Sequence, residues 1–531
     1  MHPFRYNRKD WLVAIIITVL LLGIGGVTLT KGLPYWGDDS SAYISEGIAI
    51  AEGNLMEQAR LNYIMHPSEL SAESDPDGLV YVWGYPLMLS VVYKTVGFDR
   101  AEYSSIIWYK IPLLLGWSLL GGVAYLFFRR RFSAGVSAVL ASTLCLSRHL
   151  VENLNLLYSD LPFLFFSMLS LLLMELFVEK AVWFALARHK KKDMESSQID
   201  AKHRLAGVIP LAAIYGTVLW FTHEIRLNGK TVCMVAAVGH AIYLIKNRKQ
   251  IERKSLWLHF LPYIAMGCLI FISEQMIFAP ATSNMSDVGR ATVAEVQKNI
   301  KFYWKQIYNY LNGLPRIDLK LTGHILAVAC VAGIIIKGIK ENTHLTLLLI
   351  GTLIVDIMLP YEQGLRYLYN ILPLILMFAA YGLQATWQWF CKAVAAQTIF
   401  RRFVKACCAV LILFLPVFYT VSLGIENRDR IEDSDVYSAE AVDMYQYIQA
   451  NVPEDKVIAF GKPRALFLNT ERVSIRTGYN GHTISDADYY LFYDTNYGEF
   501  SKEKEEAAVT PKTEIYHNRL YTLYEVDKDR N

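Results

Sequence analysis

WGDDSSAYISEGIAIAEG, residues 36–53, follows directly on the first long apolar run of the chain. Its apolar positions recur at helical spacing, so we expect a helix here, capped by Ser40 or Ser41. Asp38 and Asp39 then lie at the positive N-terminus of that helix, just outside a membrane span. Capping is the common role of such aspartates, and short motifs give many false matches. A catalytic base at a membrane surface is the second interpretation, and the rest of the chain decides between them.

The composition is that of a polytopic membrane protein. Of 531 residues, 53% are hydrophobic and only 19% are charged, which is too apolar for an ordinary soluble enzyme. The formal net charge of +3 is too small to predict a nucleic-acid partner. The lipid bilayer is therefore the predicted environment.

Long apolar segments mark the predicted membrane spans, because a helix needs about 20 apolar residues to cross the hydrocarbon region. Eleven segments qualify, which predicts an α-helical protein with about eleven transmembrane helices. They are residues 11–29, 104–128, 133–149, 158–178, 205–221, 229–246, 256–278, 321–338, 344–360, 370–390 and 405–423.

The charged residues between these spans predict their orientation. With the N-terminus inside, the alternate loops are cytoplasmic, and each of them carries lysine or arginine, as at 129–131. The first outer loop, 31–103, has the opposite balance, with eleven acidic residues against four basic ones. This pattern predicts a protein of the cytoplasmic (inner) membrane. Its outer face would carry the loops 31–103 and 279–320 and a tail from 424.

The loop 279–320 contains a predicted interfacial helix. Apolar residues recur on one helical side, and Lys298, Lys301 and Lys305 lie on another. Lysines on such helices commonly extend to the membrane surface. Lys301 is the candidate among them for contact with a lipid phosphate.

The tail has the composition of a soluble protein and predicts a second domain. We expect residues 1–423 to form the membrane domain and 424–531 a small extracytoplasmic α/β domain. Its predicted elements are a helix over 439–450 and strands over 457–460, 489–493 and 520–526.

Polar and aromatic motifs follow one another in order at the outer ends of the predicted spans. They are Asp38 and Asp39, then Trp83, Gly84, Tyr85 and Pro86, then Tyr158, Ser159, Asp160, Leu161 and Pro162, then Arg226, and finally Arg366 and Tyr367 before Pro373. Together they resemble the C-type membrane glycosyltransferases, which share the GT-C fold. The resemblance is to the bacterial group of protein O-mannosyltransferases and aminoarabinose transferases acting on lipid A, similar to glycosyltransferase family 39.

Individual positions match the motifs of this family. An acidic residue four positions before a tyrosine begins its first outer loop, and Asp39 and Tyr43 have that spacing, so Asp39 is preferred to Asp38. Many members have Asp-Glu where this chain has Asp39 and Ser40, so the resemblance does not assign a metal ligand there.

The resemblance implies transfer of a sugar, a hexose or a pentose, from a polyprenyl-phosphate donor to a hydroxyl acceptor on a lipid, glycan or protein, with inversion at the anomeric carbon. The residue types suit this chemistry. The attacking hydroxyl needs a carboxylate base, for which Asp39 is the first candidate, with Asp38 and Asp160 as further catalytic candidates. The departing phosphate needs cations, and Arg226 and Arg366 are the candidates.

Other residues complete the predicted site. Tyr367 and Lys301 would join the arginines at the phosphate, and the predicted cavity wall consists of Tyr43, Trp83, Tyr85 and Tyr158. Each arginine has an alternative role as a headgroup anchor, and Asp160 has one as a helix cap. His223 and Glu224 either orient Arg226 or form an ordinary polar turn.

A divalent cation, Mg, Mn or Ca, is the cofactor left open by the sequence. His66, Glu69, Asp75 and Asp77 of the first outer loop carry suitable ligand atoms. Their spacing is not that of a tight metal site, and a solvated acidic loop is the alternative.

Two other classes of function stay open. A transporter or flippase of a lipid-linked saccharide would share the apolar bulk, but it would place ionisable residues in the middle of the membrane, whereas here they lie at span ends. A non-enzymatic sensor or scaffold would leave the ordered acidic and arginine positions without a role.

Overall fold

The computed structural model of the protein describes residues 5–33, 36–65, 81–101, 103–190, 197–248, 253–273, 275, 289–312, 320–362, 364–393, 421–422, 424–425, 435–476, 483–494, 507 and 510–528.

Helices make up most of the described chain. In order they are α1 (Arg8–Thr28), α2 (Asp38–Glu52), α3 (Leu55–Met65), α4 (Gly84–Val96), α5 (Ile106–Tyr109), α6 (Ile111–Arg129), α7 (Ala134–Cys145), α8 (Arg148–Glu152), α9 (Asp160–Lys190), α10 (Ser197–Ile225), α11 (Gly229–Lys246), α12 (Leu261–Ile272), α13 (Val293–Asn312), α14 (Lys320–Gly333), α15 (Ile339–Glu341), α16 (Thr343–Ile357), α17 (Leu372–Ala393), α18 (Ala439–Asn451) and α19 (Pro463–Thr470). Short 3₁₀ helices include Arg253–Phe260, before α12, and Leu365–Ile371, before α17, and a π-helical turn, Ile334–Gly338, joins α14 to α15.

The chain is a multi-pass membrane protein. Within the described residues, six helices are long and apolar enough to cross a membrane, or seven if the bent pair Ala134–Cys145 and Arg148–Asn155 forms one span. The six are Arg8–Thr28, Ile106–Arg129, Asp160–Ala181, Gly207–Ile225, Gly323–Glu341 and Leu365–Trp389.

The predicted number of eleven spans goes beyond what these helices show. Leu256–Ile272 and Thr343–Ile357 are apolar helices at predicted span positions, but they are shorter than the six. The predicted span 229–246 forms α11, which is not one of the six. The predicted span 405–423 lies almost wholly outside the described residues.

The bundle is centred on α6 and α9. α6 packs against α1 and α9, and α9 packs against α10. In both central spans 78% of the most apolar window is buried, against 22% in α1, so α1 lies at the periphery. Its exposed apolar side chains suit a lipid environment, in which helices do not need to hide them.

α14 and α17 pack together with unusually close backbones. A Cβ atom at Gly382 of α17 would lie 2.0 Å from the backbone oxygen of Ala329, so a side chain there would force the helices apart. Small residues allow this kind of packing between membrane helices. The contact fixes α17 and, with it, the 3₁₀ helix Leu365–Ile371 that precedes it.

A buried lysine fixes the segment that leads from α1 to α2. Lys110 is fully buried, and its Nζ donates to the backbone oxygens of Thr30 at 2.8 Å and Gly32 at 2.6 Å and to Oδ1 of Asn155 at 3.0 Å. A buried ammonium requires such partners. Because Asn155 lies just before α9, these hydrogen bonds of Lys110 also place the start of α9 near the start of α2.

The predicted interfacial helix forms as α13. Its packed side includes Asn299, whose Nδ2 donates to the backbone oxygen of Leu359 at 2.8 Å, and the buried Tyr303. Val293 and Ile300 of the predicted apolar side are 76% and 50% exposed. Those residues face away from the bundle, as a helix at a lipid surface requires.

The C-terminal region contains a small mixed sheet, as predicted. Its strands are β1 (Ile458–Ala459), β2 (Ser474–Ile475), β3 (Tyr489–Tyr493), β4 (Lys512–His517) and β5 (Tyr521–Val526), in the order β2-β1-β3-β5-β4. β1 is parallel to β2 and β3, and the pairs β3–β5 and β4–β5 are antiparallel. The predicted helix and three strands form at their expected positions, and the sequence analysis missed α19, β2 and β4.

Candidate active site

α2 begins at Asp38, so both aspartates of the opening motif lie in its first turn. Gly37 is the N-cap residue and no side chain caps the helix, so the prediction of a serine cap was wrong. Ser41 Oγ instead donates back to the oxygen of Gly37 at 3.1 Å, and the hydroxyl of Ser40 donates to Leu156. The positive N-terminal end of this helix favours the negative charge of the two carboxylates.

Asp39 is held by an arginine and a tyrosine from distant parts of the chain. Its Oδ2 accepts from Nη1 of Arg366 at 3.1 Å, and its Oδ1 accepts from the hydroxyl of Tyr81 at 2.8 Å. The side chains of Asp39 and Arg366 are 27% and 32% exposed, so a substrate can reach both.

The pKa of the Asp39 carboxyl lies below its ordinary value of 3.8. Burial acts to raise this pKa, but the charge of Arg366, the hydrogen bond from Tyr81 and the charge of Arg464 together outweigh burial. Asp39 is therefore ionised at neutral pH, which is the protonation state required of a base.

Asp160 and Arg226 form a second carboxylate–guanidinium pair. Asp160 is the first residue of α9 and is 2% exposed, and its Oδ1 accepts from Nη1 of Arg226, just beyond α10. The turn before Asp160 is strained, because Leu157 has φ of +48°. A non-glycine residue in this left-handed region costs roughly 1–3 kcal/mol, and such strain is concentrated at functional sites.

Two tyrosine rings connect the pairs. Cζ of Arg226 lies 4.6 Å from the ring centre of Tyr367, and Cζ of Arg366 lies 5.3 Å from the same ring. Arg366 also lies 4.9 Å from the ring of Tyr158. These cation–π contacts hold two like charges near one another. These contacts form one continuous series in the described structure. It runs from the carboxylate of Asp39 through Arg366, Tyr367 and Arg226 to the carboxylate of Asp160.

The aromatic rings of Tyr43 and Tyr85 pack together beside this series of contacts. The Tyr43 hydroxyl is hydrogen-bonded to Oγ of Ser159 at 3.0 Å, and its ring centre lies 4.4 Å from that of Tyr81 and 5.0 Å from that of Tyr85. Tyr81, which donates to Asp39, connects Tyr43 to the carboxylate. The rings of Tyr43 and Tyr85 are both buried, and their role in the wall of a substrate cavity stays a prediction.

Trp83 takes part in helix packing. It is 3% exposed, and its ring centre lies 5.5 Å from that of Trp220. The next residue explains the tight fit: a Cβ atom at Gly84 would lie 2.5 Å from the backbone oxygen of Glu224. Trp83 and Gly84 therefore hold α4 against the end of α10, which places Arg226.

His223 and Glu224 bond to each other. His223 Nδ1 lies 3.1 Å from Oε1 of Glu224, and Ser273 Oγ donates to the same oxygen at 3.5 Å. Both residues lie in the last turn of α10. Arg226 is oriented by Asp160 and Tyr367.

The structure gives Asp38 a different partner from Asp39. Its Oδ1 accepts from the backbone N–H groups of Arg464 at 3.0 Å and Ala465 at 3.4 Å, at the start of α19. Nη1 of the buried Arg464 lies 3.8 Å from its Oδ2. Asp38 therefore binds the C-terminal region, which explains why two adjacent aspartates are present although only Asp39 meets Arg366.

An aromatic cluster strengthens this attachment. Trp36 packs edge-on against Phe460 at 5.2 Å, Tyr445 at 6.1 Å and Tyr521 at 6.4 Å between ring centres. Arg100, from the other end of the first loop, donates to the backbone oxygen of Leu468 at 3.0 Å. The sheet thus packs beside the helix that carries Asp39.

Sequence reasoning missed Glu46, Tyr81 and Arg464. Glu46 lies seven residues after Asp39, and this helical spacing could have revealed it. It is fully buried and accepts from Nδ2 of Asn62 at 3.0 Å. Burial raises the pKa of Glu46 to about 8, although the charge of Arg464 and hydrogen bonds to the carboxylate act to lower this pKa. No motif marks Tyr81 or Arg464, since their roles come from distant contacts.

Lys301 and the predicted metal ligands do not join the site in the described structure. Lys301 is exposed on α13, and no described contact links it to Asp39 or Arg366. Among the described residues no group of three or more His, Cys, Asp or Glu side chains could hold a metal ion. The candidate ligands His66, Glu69, Asp75 and Asp77 lie outside the described residues.

Comparison with known proteins rests on structure. No protein-family profile matches the chain, and no curated protein sequence is significantly similar to it. The crystal structure of ArnT from Cupriavidus metallidurans bound to undecaprenyl phosphate is similar with a TM-score of 0.52 and 10% identity, over 98% of each chain. The apo structure of ArnT gives the same values.

A second protein has a similar structure. The Archaeoglobus fulgidus oligosaccharyltransferase, in a complex with zinc and sulfate, matches with a TM-score of 0.51 and 11% identity. The match covers 91% of this chain and 68% of that one. Identities this low show the fold alone. The resemblance inferred from the motifs is thereby confirmed for the architecture: the chain has the GT-C membrane fold of ArnT.

Proposed function

We propose that the protein is a glycosyltransferase that moves a sugar from a polyprenyl-phosphate carrier to a hydroxyl acceptor, with inversion at the anomeric carbon. The observation that carries the proposal is the pair of Asp39 and Arg366. These residues are 327 positions apart in the chain, yet a base and a phosphate-binding cation meet at a partly exposed position. The GT-C fold, shared with a protein that binds undecaprenyl phosphate, supports a polyprenyl-phosphate donor.

The arginines would hold the donor phosphate. Arg366 and Arg226 share the Tyr367 ring, so their guanidinium groups can bind oxygens of one phosphate. As the bond between the anomeric carbon and the phosphate oxygen breaks, that oxygen gains negative charge. Fixed cations aimed at this charge stabilise the transition state.

Asp39 would accept the proton of the acceptor. The acceptor oxygen attacks the anomeric carbon from the side opposite the phosphate, its proton passes to the Asp39 carboxylate, and polyprenyl phosphate leaves. One displacement of this kind inverts the anomeric centre.

Donor binding would also activate the base. In the described structure Arg366 holds the pKa of Asp39 down, which makes the carboxylate a weak base. A donor phosphate competes for Arg366 and so weakens its interaction with Asp39. The pKa of Asp39 then rises when a sugar is present to react, and the protein would not hold a strong base while empty.

The position of the charged residues favours an enzyme over a transporter or flippase. Asp160 begins α9, Arg226 follows α10, and Arg366 lies just before α17. Such residues at helix ends can meet a carrier lipid whose sugar headgroup lies at the membrane surface. We place this face outside the cytoplasm, with the N-terminus inside and the sheet region outside, because of the distribution of lysine and arginine between the spans.

The test is sugar transfer by the purified full-length protein and its Asp39→Asn variant. Mass spectrometry of glycolipids and glycoproteins from cells with and without the gene would first identify the molecule that loses a sugar. Transfer to that acceptor from a polyprenyl-phosphate sugar pool is then measured. We expect the variant to lose a factor of about 10²–10⁴ in turnover, which is the usual contribution of a general base.

Glu52→Gln is the matched control, since Glu52 lies at the far end of the same helix and bonds to Tyr93 at 2.6 Å. Its turnover should equal that of the unmodified protein. Full turnover by Asp39→Asn would exclude Asp39 as the base. An unchanged glycolipid and glycoprotein profile in cells lacking the gene would contradict the transferase function itself.

A further inference from the structure

A cavity of about 900 Å³, lined by both charged and apolar side chains, lies near the end of the bundle opposite the candidate active site. α9 connects the two places, because it begins at Asp160 of the candidate active site and its Glu175 lines the cavity. Their separation of 15 positions corresponds to about 22 Å at 1.5 Å per residue. The other walls come from the end of α6, from α11, from the segment between α14 and α16, and from α17. The proposed sugar transfer uses none of these residues.

The inner wall of the cavity is a compensated ion-pair network. Arg130 bonds through Nε to Oε2 of Glu175 at 2.6 Å and also pairs with Glu179. Arg131 pairs with Glu175 and donates to Oδ1 of Asn342 at 3.2 Å. The two arginine side chains are only 7% and 8% exposed. Their charges are therefore largely neutralised by the two glutamates.

The outer wall has an excess of positive charge. Lys246, Lys337 and Lys340 line it, and only Glu341 opposes them, through an ion pair with Lys337. Lys246 Nζ donates to the backbone oxygen of Lys340 at 3.3 Å, which keeps the two lysines together. The lining as a whole has five basic and three acidic residues, which leaves two positive charges.

The rest of the lining is mixed. Its neutral hydrogen-bonding side chains include Tyr243, Asn247, Tyr381, Gln384 and Gln388, and its apolar ones include Met174, Val178 and Ile242. Phenol and amide groups can donate to phosphate oxygens or bond to hydroxyl groups. The lining thus combines positive charge with neutral polar groups, which suits a phosphate that carries a small polar alcohol.

We propose that this cavity binds the phosphate of an anionic phospholipid headgroup from the leaflet at this end of the bundle. Its lysines lie at the end of α11 and in the connection before α16, where helices of a membrane protein reach headgroup depth. Basic pockets between membrane helices are known positions for such headgroups. A volume of about 900 Å³ lies within the usual range for a small-molecule site. This site does not depend on sugar transfer.

The test uses the delipidated full-length protein and native mass spectrometry with phosphatidylglycerol or phosphatidylcholine. We expect the unmodified protein to bind phosphatidylglycerol more tightly. The triple variant Lys246→Gln, Lys337→Gln, Lys340→Gln should lose at least about tenfold of that affinity, since each surface lysine near an anionic lipid contributes about 1 kcal/mol. The charge-preserving triple variant with arginine at the same positions should retain it.

The control triple variant is Arg8→Gln, Lys9→Gln, Arg248→Gln, which removes the same charge from residues outside the cavity lining. Equal loss of affinity in both glutamine variants would overturn the proposal, because general surface charge would then explain the binding. Equal affinity of the unmodified protein for the two lipids would also overturn it. Thermal stabilisation by inorganic phosphate alone, absent from the first triple variant, would keep the phosphate site and assign it to a soluble phosphate.

Discussion

The start and the middle of α9 carry similar ion pairs that are built differently. At the start Asp160 pairs with Arg226, and the neighbouring pair of Asp39 and Arg366 has side chains that are 27% and 32% exposed. Further along, Glu175 is shared by Arg130 and Arg131 in a network whose arginines are at most 8% exposed.

This difference distinguishes a site that can bind a ligand from an ion-pair network that stabilises the fold. Buried charges that are fully compensated fix the helices that carry them, because losing one partner leaves an unpaired charge. At the candidate active site each carboxylate has a single arginine, and aromatic rings carry part of the contact with the cations. Such arginines can exchange a carboxylate for a phosphate. We therefore expect substitutions in the Glu175 network to change stability, and substitutions at the pair of Asp39 and Arg366 to change turnover.

The largest expected effect is on stability, from Glu175→Ala. Removal of this carboxylate leaves Arg130 and Arg131 with too few anions in a buried position, and breaking a buried pair costs about 3–5 kcal/mol. Thermal unfolding of the purified protein measures the loss. Turnover per folded molecule should stay near that of the unmodified protein. A turnover defect with unchanged stability in Glu175→Ala would contradict the structural role assigned to the Glu175 network.

Arg366→Ala should act on turnover with little effect on stability. Loss of a cation that faces developing charge lowers turnover by about 10²–10³. Donor affinity should fall as well, and Arg366→Lys should recover part of both because it keeps the charge but not the paired donors. Steady-state kinetics over a range of donor concentrations distinguishes the two variants. An unchanged donor affinity in Arg366→Ala would make Arg366 a headgroup anchor.

Asp38→Ala should give a smaller effect than Asp39→Asn. Asp38 accepts the first N–H groups of α19, and loss of such a cap costs about 1 kcal/mol. We therefore expect up to about a tenfold loss of turnover, together with faster proteolytic release of the C-terminal region. Asp39→Asn should leave the proteolysis rate unchanged. Equal turnover defects without any change in proteolysis would mean that both carboxylates serve the reaction directly.

The last expected effect is a pH dependence of stability from Glu46. Its pKa is about 8 in the folded protein and has a reference value of 4.5, so the folded state holds more protons between these values. Stability should therefore fall as pH rises, by at most about 1.4 kcal/mol per pH unit within that window. Unfolding of the protein and of Glu46→Gln at pH 6 and pH 7.5 measures the slope. The same slope in both would exclude Glu46 as its source.

The four charged residues that the sequence predicted at span ends lie at or next to helix ends in the structure. Asp39 is the second residue of α2, Asp160 begins α9, Arg226 follows α10, and Arg366 is the second residue of the 3₁₀ helix Leu365–Ile371. Helix ends on one side of a membrane lie in one plane, so residues there can be grouped without knowing how the helices pack. For Trp83 and Lys301 a position near a helix end does not predict whether the side chain faces the site, because that depends on the rotation of the helix about its axis.

The sequence by itself determined the multi-pass membrane class, the positions of most helices and the motifs that resemble GT-C proteins, since hydrophobic periodicity and charge are local properties of the chain. Only the tertiary structure decided that Asp39 meets Arg366 while Asp38 meets the start of α19. Adjacent residues on a helix point about 100° apart, so neighbours in sequence reach different partners, and those partners come from segments hundreds of residues away. The same applies to the basic cavity, whose lysines are unremarkable until folding gathers them from α11 and the connection before α16.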